Sequence, residues 1–520
     1  MIRVLDPASA VVGPTGVAPL PTLYVADQLM VRGQQAVDGL DERVAKVIAE
    51  LGWVLGPPKR EQPGLRAYVR TDLAAGLPPR AELPGVKLVS RPPLLLEISA
   101  ERGRPAAAVD AWVALQQIAA SLEPEIAGAF ELNHVLLPAG GGYWGGIGGG
   151  YWGGIGGGYW GGIGGGYWGG IGGGLGPAEY GVPGFGGKTP VALIVADPAL
   201  SARVLDRPPV VVMPDTGIGP HPWFPRELTK DVFAPKAHPP QMSLVTVVGT
   251  EVPDDSTGVG EPLTGGADRL AGHGTFIAGI VRQACPEARL EAHTVMSSAG
   301  VIIESELITL LHTLLHRQLT ALATANPELV VDVLSISAGY YHESPEDTPI
   351  DTSIAEVLGD LGRAGVVVIA GAGNDATERP LLPAGLAKAS SDPSELPLLS
   401  VGSLNPNGTT VALFSNAGPW VTTYRSGAAI VSTLPTSGNA GTQSSTSASG
   451  GSPDKRARTT IDADDFSGGF GVWSGTSFAA PLLAGEVART LVELGTDDVS
   501  LSAMLERGRK AVALVLEDQR

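Results

Sequence analysis

Short apolar runs alternate with amphipathic helical patterns along the part of the chain that begins near Val191. The apolar runs are rich in Val, Ile and Leu, and the segments between them repeat apolar residues at helical spacing. Strands are predicted at 209–213, 289–295, 330–336, 366–370 and 398–403, and helices at 273–284, 303–323, 354–364 and 478–494. Because nearly continuous apolar strands suit a sheet that is covered on both sides, we predict an α/β fold with a mostly parallel sheet and helices on both faces.

A separate pattern precedes this region. Residues 36–51 place their apolar side chains on one helical face, and runs of strand-forming residues lie on either side. Strands are predicted at 22–32, 66–70, 94–98 and 130–137, and helices at 36–51 and 107–122. The resulting order is β-α-β-β-α-β, which is the ferredoxin-like order. We therefore predict a small α+β domain over residues 1–139.

Two low-complexity segments interrupt these patterns. Residues 140–187 form a Gly-rich linker with four exact copies of GGGYWGGI. The copies start at Gly140, Gly148, Gly156 and Gly164. A segment of this composition buries too little apolar surface to offset the entropy lost when its backbone is ordered, which favours a flexible tether. Alternatively, the evenly spaced Tyr-Trp pairs could support self-association or bind a partner. Within the third region, 188–520, the Ser-rich stretch 435–468 is predicted to be an exposed, mobile insertion.

Composition narrows the classes of protein to which the chain can belong. The 520 residues have a formal net charge of −18, which argues against a nucleic-acid-binding surface. The single cysteine, Cys285, excludes a disulfide framework and a cysteine-based zinc site. No apolar run approaches the roughly 18 residues of a membrane span, and the N-terminal segment lacks the unbroken apolar core of a secretory signal. A cytoplasmic location is the simplest prediction.

Three motifs with reactive side chains fall where a parallel sheet presents its functional groups, at strand ends and helix starts. Asp215 follows a predicted strand in VVMPDTGIG, and Ser477 begins the long apolar helix in SGTSFAAP. His273 opens a helix in AGHGTFIAGIV, where the apolar spacing predicts that it lies at the exposed mouth of that helix. Each motif alone is compatible with a turn, a structural histidine or a helix cap. Together, and in the order Asp, His, Ser along the chain, the three motifs indicate a catalytic triad.

The segment from about Pro209 to Ala488 resembles the subtilase family in these three motifs and in their order. A fourth motif, VVVIAGAGND, places Asn374 at the position of the asparagine that contributes to the family's oxyanion hole. The resemblance implies a subtilisin-like catalytic domain over residues 188–520 and the activity of a serine endopeptidase. It also implies that the partner of this domain is a peptide or protein substrate.

The same resemblance implies a role for each motif residue. Ser477 Oγ attacks the peptide carbonyl, and His273 accepts its proton and later returns it to the leaving amine. Asp215 orients the imidazole and stabilises its protonated form. The Asn374 amide and the Ser477 backbone N–H donate hydrogen bonds to the oxyanion of the tetrahedral intermediate.

A substrate-binding edge is placed by resemblance to the Ser-Leu-Gly segment of the family, against which a peptide lies as an added strand. LSISAGYY corresponds to it. The residues concerned are Ser337, Ala338 and Gly339 on this edge, and Ala370, Gly371 and Gly373 on the second wall of the primary pocket. The family more often has Leu where this chain has Ala338, which predicts a larger pocket.

The order of elements in residues 22–137 is also that of subtilase propeptides, which assist folding and inhibit the enzyme by inserting their C-terminal end into the cleft. The resemblance therefore implies intramolecular inhibition by residues 22–137. A recognition domain that delivers a substrate or senses a partner is the alternative. For the whole chain, the competing class is a catalytically silent interaction protein that assembles through the Tyr-Trp repeats.

No cofactor and no metal ligand are expected for the reaction itself. Two acidic runs, 343–347 and 462–465, could bind calcium, although such runs more often form solvated loops.

Overall fold

An antiparallel sheet forms the N-terminal domain of the computed structural model. Its strands are β1 (Ile2–Leu5), β2 (Thr22–Val31), β3 (Trp53–Leu55), β4 (Leu94–Ala100) and β5 (Phe130–Pro138), and its helices are α1 (Leu40–Glu50), α2 (Ala111–Ser121) and α3 (Pro124–Ala127). The four main strands lie in the order β5-β2-β4-β3, and β1 pairs with the first half of β2. From β2 onward, the described elements follow the predicted β-α-β-β-α-β order, and β1 is an additional strand before it.

The structure describes most of the chain, with gaps. The described residues are 1–13, 16, 18–32, 40–56, 86–103, 108–138, 187–229, 245–249, 252–255, 267–344, 352–387, 394–441, 443–448 and 456–517. The predicted strand at 66–70 and the GGGYWGGI repeats lie outside them. The described strand that follows α1 is β3, Trp53–Leu55, whose three residues are too few to display an alternating pattern.

The rest of the chain is built around a larger sheet. Its strands and those beside it are β6 (Thr189–Pro190), β7 (Val210–Asp215), β8 (Arg226–Thr229), β9 (Val245–Val248), β10 (Arg289–Thr294), β11 (Ile302–Ile303), β12 (Val333–Ile336), β13 (Ala338–Gly339), β14 (Val367–Gly371), β15 (Leu398–Leu404), β16 (Thr423–Ser426), β17 (Ile430–Thr433), β18 (Ser447–Ala448), β19 (Arg458–Thr459) and β20 (Phe470–Trp473). The helices are α4 (His273–Ala284), α5 (Glu304–Thr324), α6 (Ser353–Arg363), α7 (Thr476–Leu494) and α8 (Leu501–Glu517).

Eight strands of this region form one sheet in the order β16-β15-β14-β12-β7-β10-β9-β8, and each neighbouring pair in it is parallel. Successive side chains of β7 point to opposite faces. Val211 and Met213 join a core that includes side chains of α4, α7 and α8. Val210 and Val212 join a second core, which includes side chains of α5 and α6. The prediction of a parallel sheet with helices on both faces is confirmed.

The N-terminal domain docks on the α5 and α6 side of this sheet. Its residues Met30, Leu95 and Leu136 belong to the same buried cluster as the side chains of α5 and α6. The buried carboxylate of Asp360, in α6, accepts hydrogen bonds from both the backbone N–H and the hydroxyl of Ser90. The two domains therefore share a core as well as polar contacts.

The Ser-rich stretch 435–468 has buried ends and an exposed middle. Pro435 and Phe466 are buried, whereas β18 and β19 pair as a two-stranded ribbon whose residues are exposed. The mobility of this stretch stays a prediction. In the described part of the chain, no helix combines the length and the apolar character needed to cross a bilayer.

Candidate active site

Asp215 and His273 are brought together by the ends of two elements. Asp215 is the last residue of β7, and His273 is the first residue of α4. The Nδ1 atom of His273 lies 2.9 Å from Oδ1 and 3.0 Å from Oδ2 of Asp215. The backbone N–H and the hydroxyl of Thr216 donate to Asp215 Oδ1 at 2.8 and 3.2 Å. A carboxylate held in this way fixes the tautomer of the imidazole, with the proton on Nδ1.

Asp254 holds the start of α4, a role that the sequence analysis missed. Its Oδ1 accepts a hydrogen bond from Gly272 N at 2.9 Å, and its Oδ2 accepts from Thr275 N and Thr275 Oγ1 at 2.9 and 2.7 Å. The side chain is buried, and burial raises its pKa to about 6. Because Asp254 is distant in sequence from the helix that it caps, no local capping pattern announces it.

Ser477 lies in the first turn of α7 and faces the segment that follows β12. Its hydroxyl donates to the carbonyl of Ser337 at 3.2 Å, and the Ser337 hydroxyl donates to the carbonyl of Ser477 at 3.0 Å. The ring of Phe478, the next residue, lies 5.4 Å from the ring of His273, so the start of α7 adjoins the Asp215–His273 pair.

The prediction that His273 lies at an exposed mouth is wrong, because its side chain is 0% exposed. Aromatic side chains account for part of this burial: the rings of Trp473 and Phe478 lie 5.5 and 5.4 Å from the imidazole. Among the described residues, Nε2 of His273 is buried without a hydrogen-bond partner. The imidazole therefore has one nitrogen bound to a carboxylate and the other available for a proton.

Asn374 follows β14 and is linked to the same helix start. Its side-chain oxygen accepts a hydrogen bond from Thr476 N at 2.8 Å, and the Thr476 hydroxyl accepts one from Gly373 N at 2.9 Å. These two bonds tie the loop after β14 to the residue before Ser477. Because the oxygen of the Asn374 amide is directed at Thr476, its NH₂ group is the end that can donate elsewhere.

Gly373 has a backbone conformation that this loop requires. Its φ is +106°, and a Cβ atom built there would lie 2.3 Å from Asn416 Nδ2. We expect Gly373→Ala to lower the free energy of unfolding by about 2–4 kcal/mol, since backbone strain and overpacking each cost about 1–3 kcal/mol. Chemical denaturation of the Ser477→Ala protein, with and without Gly373→Ala, measures this loss. The Ser477→Ala background prevents self-digestion during the measurement.

Gly408→Ala is the matched control for that prediction. Gly408 also has a positive φ, +68°, but no heavy atom lies within 4 Å of a Cβ built there. We expect a loss of only about 1 kcal/mol, from backbone strain alone. Equal losses at the two positions would show that the contact with Asn416 has no energetic weight.

The predicted substrate-binding residues lie on two segments next to Ser477. Ala338 and Gly339 form β13, and Ala370 and Gly371 end β14. β5 of the N-terminal domain pairs antiparallel with β13, with Pro138 opposite Ala338 and Leu137 opposite Gly339. It also pairs antiparallel with β11 on its other edge. The C-terminal end of β5 is therefore an inserted strand between two edges of the parallel-sheet domain.

The two acidic runs differ in their surroundings. Glu343, in the first run, is buried and lies 2.7 Å from His134 Nε2, so it does not belong to a solvated loop. In the second run, Asp464 is also buried, whereas Asp465 Oδ1 accepts a hydrogen bond from Ser467 N at an exposed turn. Calcium binding stays a prediction for both runs.

Known sequences and solved structures show which proteins this chain resembles. A sequence model of the subtilase family matches residues 207–500, which is more than half of the chain. No curated protein sequence matches the chain. Solved structures that are similar include a cold-adapted subtilisin-like serine proteinase, at 18% identity, 61% coverage of this chain, 87% of that chain and a TM-score of 0.34. Another is a serine-to-alanine mutant of the protease domain of PatA, at 18% identity, 57% and 84% coverage and a TM-score of 0.35. The matched segment contains Asp215, His273, Asn374 and Ser477.

Proposed function

The chain belongs to the subtilase family of serine peptidases, and from this membership we propose that Asp215, His273 and Ser477 hydrolyse peptide bonds as a triad. The observation that supports this most strongly is the Asp215–His273 pair. The Nδ1 atom of His273 lies 2.9 Å from the Asp215 carboxylate, and its Nε2 atom has no hydrogen-bond partner among the described residues. The imidazole adjoins the start of α7, where Ser477 lies. A histidine oriented in this way is suited to act as a general base.

The proposed reaction begins with a rotation of Ser477 Oγ from the Ser337 carbonyl towards His273 Nε2. His273 accepts the hydroxyl proton as Oγ bonds to the peptide carbonyl carbon, and Asp215 stabilises the imidazolium that forms. The proton then passes to the leaving amine as the C–N bond breaks, which leaves an acyl-enzyme. Water, deprotonated by His273, attacks the ester, and the acid product leaves as Ser477 regains its proton.

On this proposal, two groups donate hydrogen bonds to the negative charge that develops on the carbonyl oxygen. The Ser477 N–H lies in the first turn of α7, where backbone N–H groups have no partner within the helix. The Asn374 NH₂ group is the second donor, and its position is fixed by the bond from Thr476 N to its oxygen. Hydrogen-bond donors that are already in position do not have to reorganise as the transition state forms, which lowers the barrier.

We further propose that β5 inhibits the uncut chain by occupying the path of the substrate. A bound peptide would pair with β13 as an added strand, and β5 already makes that pairing. In an antiparallel ladder, the position after the Pro138–Ala338 pair is opposite Ser337, whose carbonyl lies 3.2 Å from Ser477 Oγ. A peptide in this register therefore leads directly to the nucleophile.

This register predicts that the protein cuts itself after β5. Purified wild-type protein is expected to lose an N-terminal fragment through a cut between residues 138 and 190, and Ser477→Ala is expected to stay at full length. Intact-mass spectrometry of both proteins after parallel purification measures the difference. A wild-type protein that remains uncut and is nonetheless fully active would contradict inhibition by β5.

Deletion of residues 1–139 separates inhibition from recognition. If the N-terminal domain assists folding and inhibits, the shortened chain fails to fold or is more active when refolded. A shortened chain that folds with unchanged activity and loses only its preference among protein substrates would instead favour a recognition domain.

A further inference from the structure

A buried cluster of ionisable side chains lies where the two domains meet. His134, in β5, has both ring nitrogens in contact with carboxylates: Nδ1 lies 2.6 Å from Glu304 Oε2, and Nε2 lies 2.7 Å from Glu343 Oε2. Glu304 begins α5, and Glu343 follows β13. All three side chains are less than 10% exposed. His342, the neighbour of Glu343, completes the cluster, with its ring 5.4 Å from that of His134.

We propose that His134, His342 and Glu343 bind a zinc ion that joins the N-terminal domain to the parallel-sheet domain. One potential ligand atom from each of the three side chains lies within 4.8 Å of the other two. Two imidazoles and one carboxylate form a donor set that zinc uses in proteins, with a fourth position for water. Calcium and magnesium prefer oxygen ligands alone, so the two imidazoles favour a transition metal.

Contacts around His134 have the form expected of a metal-binding histidine. Such a histidine usually donates a hydrogen bond from its other ring N–H to a carboxylate, and Glu304 is positioned to accept one from Nδ1. Tyr340 donates its hydroxyl to the second oxygen of Glu304 at 2.7 Å, and its ring stacks on His134 at 4.2 Å. These contacts fix the plane of the imidazole and direct Nε2 at Glu343.

The other two ligands need small movements. Nδ1 of His342 lies 3.7 Å from Glu343 Oε2 and accepts a hydrogen bond from Ser344 N at 3.1 Å, which zinc would displace. Zinc bonds of about 2.0–2.1 Å place tetrahedral ligand atoms about 3.3 Å apart. His342 Nδ1 therefore has to approach Glu343 Oε2 by about 0.4 Å, whereas His134 Nε2 and Glu343 Oε2 have to move apart by about 0.6 Å.

The pKa values of the three side chains show which proton zinc has to displace at this site. Burial lowers the pKa of His342, which favours the neutral imidazole that a metal ion binds. Burial opposes ionisation of Glu343, but His342 and His134 outweigh it and lower its pKa to about 2. Burial alone would lower the pKa of His134, but the carboxylates of Glu304 and Glu343 outweigh it and raise that pKa to about 10. Zinc therefore has to replace a proton on Nε2.

Zinc at this site would fasten the inserted strand. His134 lies four residues before Pro138 in β5, and His342 and Glu343 lie three and four residues after β13, the edge with which β5 pairs. A bound ion would stabilise the docked domain and, on the proposed inhibition by β5, slow its release. Only this consequence depends on the proposed function; the binding of zinc does not.

Zinc content and thermal stability of the full-length Ser477→Ala protein test the site. The tag-free protein is treated with a chelator, desalted and mixed with zinc chloride near pH 7.5, and bound zinc is measured by mass spectrometry after gel filtration. We expect one zinc ion per chain and a higher unfolding temperature, because zinc binds the folded state. Calcium chloride at the same concentration is expected to have neither effect.

Three variants in that background locate the ion. His342→Gln, at a partly exposed side chain, is expected to abolish both zinc retention and the rise in unfolding temperature. Glu304→Gln, which removes the negative charge beside His134 Nδ1 but no ligand atom, is expected to reduce zinc affinity by about 10–100-fold. His316→Gln, on α5 outside the cluster, is the matched histidine control and is expected to behave like its parent.

No zinc retention by the parent, or equal retention by His342→Gln, would overturn the proposal and leave His134 as a histidine held by two carboxylates. Since the nucleophile is absent throughout, a negative result would not bear on peptidase activity. Loss of peptidase activity in other experiments would likewise leave the zinc result intact.

Discussion

Replacement of Ser477 by alanine is expected to lower kcat towards a peptide substrate by about 10⁶-fold. The size is taken from subtilisin itself, in which loss of the serine or the histidine alone reduces kcat by about 2 × 10⁶. The reason is that no acyl-enzyme forms without Oγ, and the proton that His273 Nε2 would accept is absent. The hydrolysis of a chromogenic peptide by chains from which the N-terminal domain has been removed measures the effect.

Ser502→Ala controls for the substitution itself. Ser502 is exposed in α8, and we expect its replacement to leave kcat and KM unchanged. Equal activity of Ser477→Ala and the wild-type protein would show that another residue, or another protein in the preparation, hydrolyses the peptide.

Replacement of Asn374 is expected to lower kcat by about 10²–10³-fold with little change in KM. This magnitude is again that of subtilisin, for which the loss of the equivalent donor has been described. A donor to the oxyanion acts only in the transition state, so its loss lowers kcat and kcat/KM together. Steady-state kinetics of Asn374→Ala, on the same peptide, measures the change.

Asn374→Asp distinguishes the donor role from support of α7. An aspartate keeps an oxygen for Thr476 N but removes the NH₂ group and adds a negative charge. We therefore expect an unfolding free energy close to that of the wild-type protein together with a kcat at least as low as that of Asn374→Ala. A loss of less than about tenfold in both variants would exclude Asn374 as a donor in the reaction.

Local patterns were sufficient for much of the fold and for the proposed triad. The apolar spacing of α4 and the buried run of β7 can be read from a few adjacent residues, and their ends place His273 and Asp215. Parallel strands have their carboxyl ends at one edge of the sheet, so motifs at such ends tend to meet. The structure adds the distance of 2.9 Å between the two side chains.

Features that depend on distant residues were not predictable in this way. Asp254 caps a helix that begins 19 positions later, and the β5–β13 ladder joins residues about 200 positions apart. The burial of His273 depends on Trp473, which is also remote in sequence. The missed helix α8 is different, since its pattern is local; Gly508 near its middle weakens the helical signal and packs against Leu396.

Labelling with a fluorescent fluorophosphonate, followed by intact mass, tests the proposed nucleophile most directly. The wild-type protein is compared with Ser477→Ala, before and after mild trypsin treatment that removes the N-terminal domain. We expect one label per chain, only in the wild-type protein, and on a chain shortened by a cut between residues 138 and 190. A folded wild-type protein that takes up no label even after trypsin treatment, or equal labelling of Ser477→Ala, would contradict the assignment of Ser477 as the nucleophile.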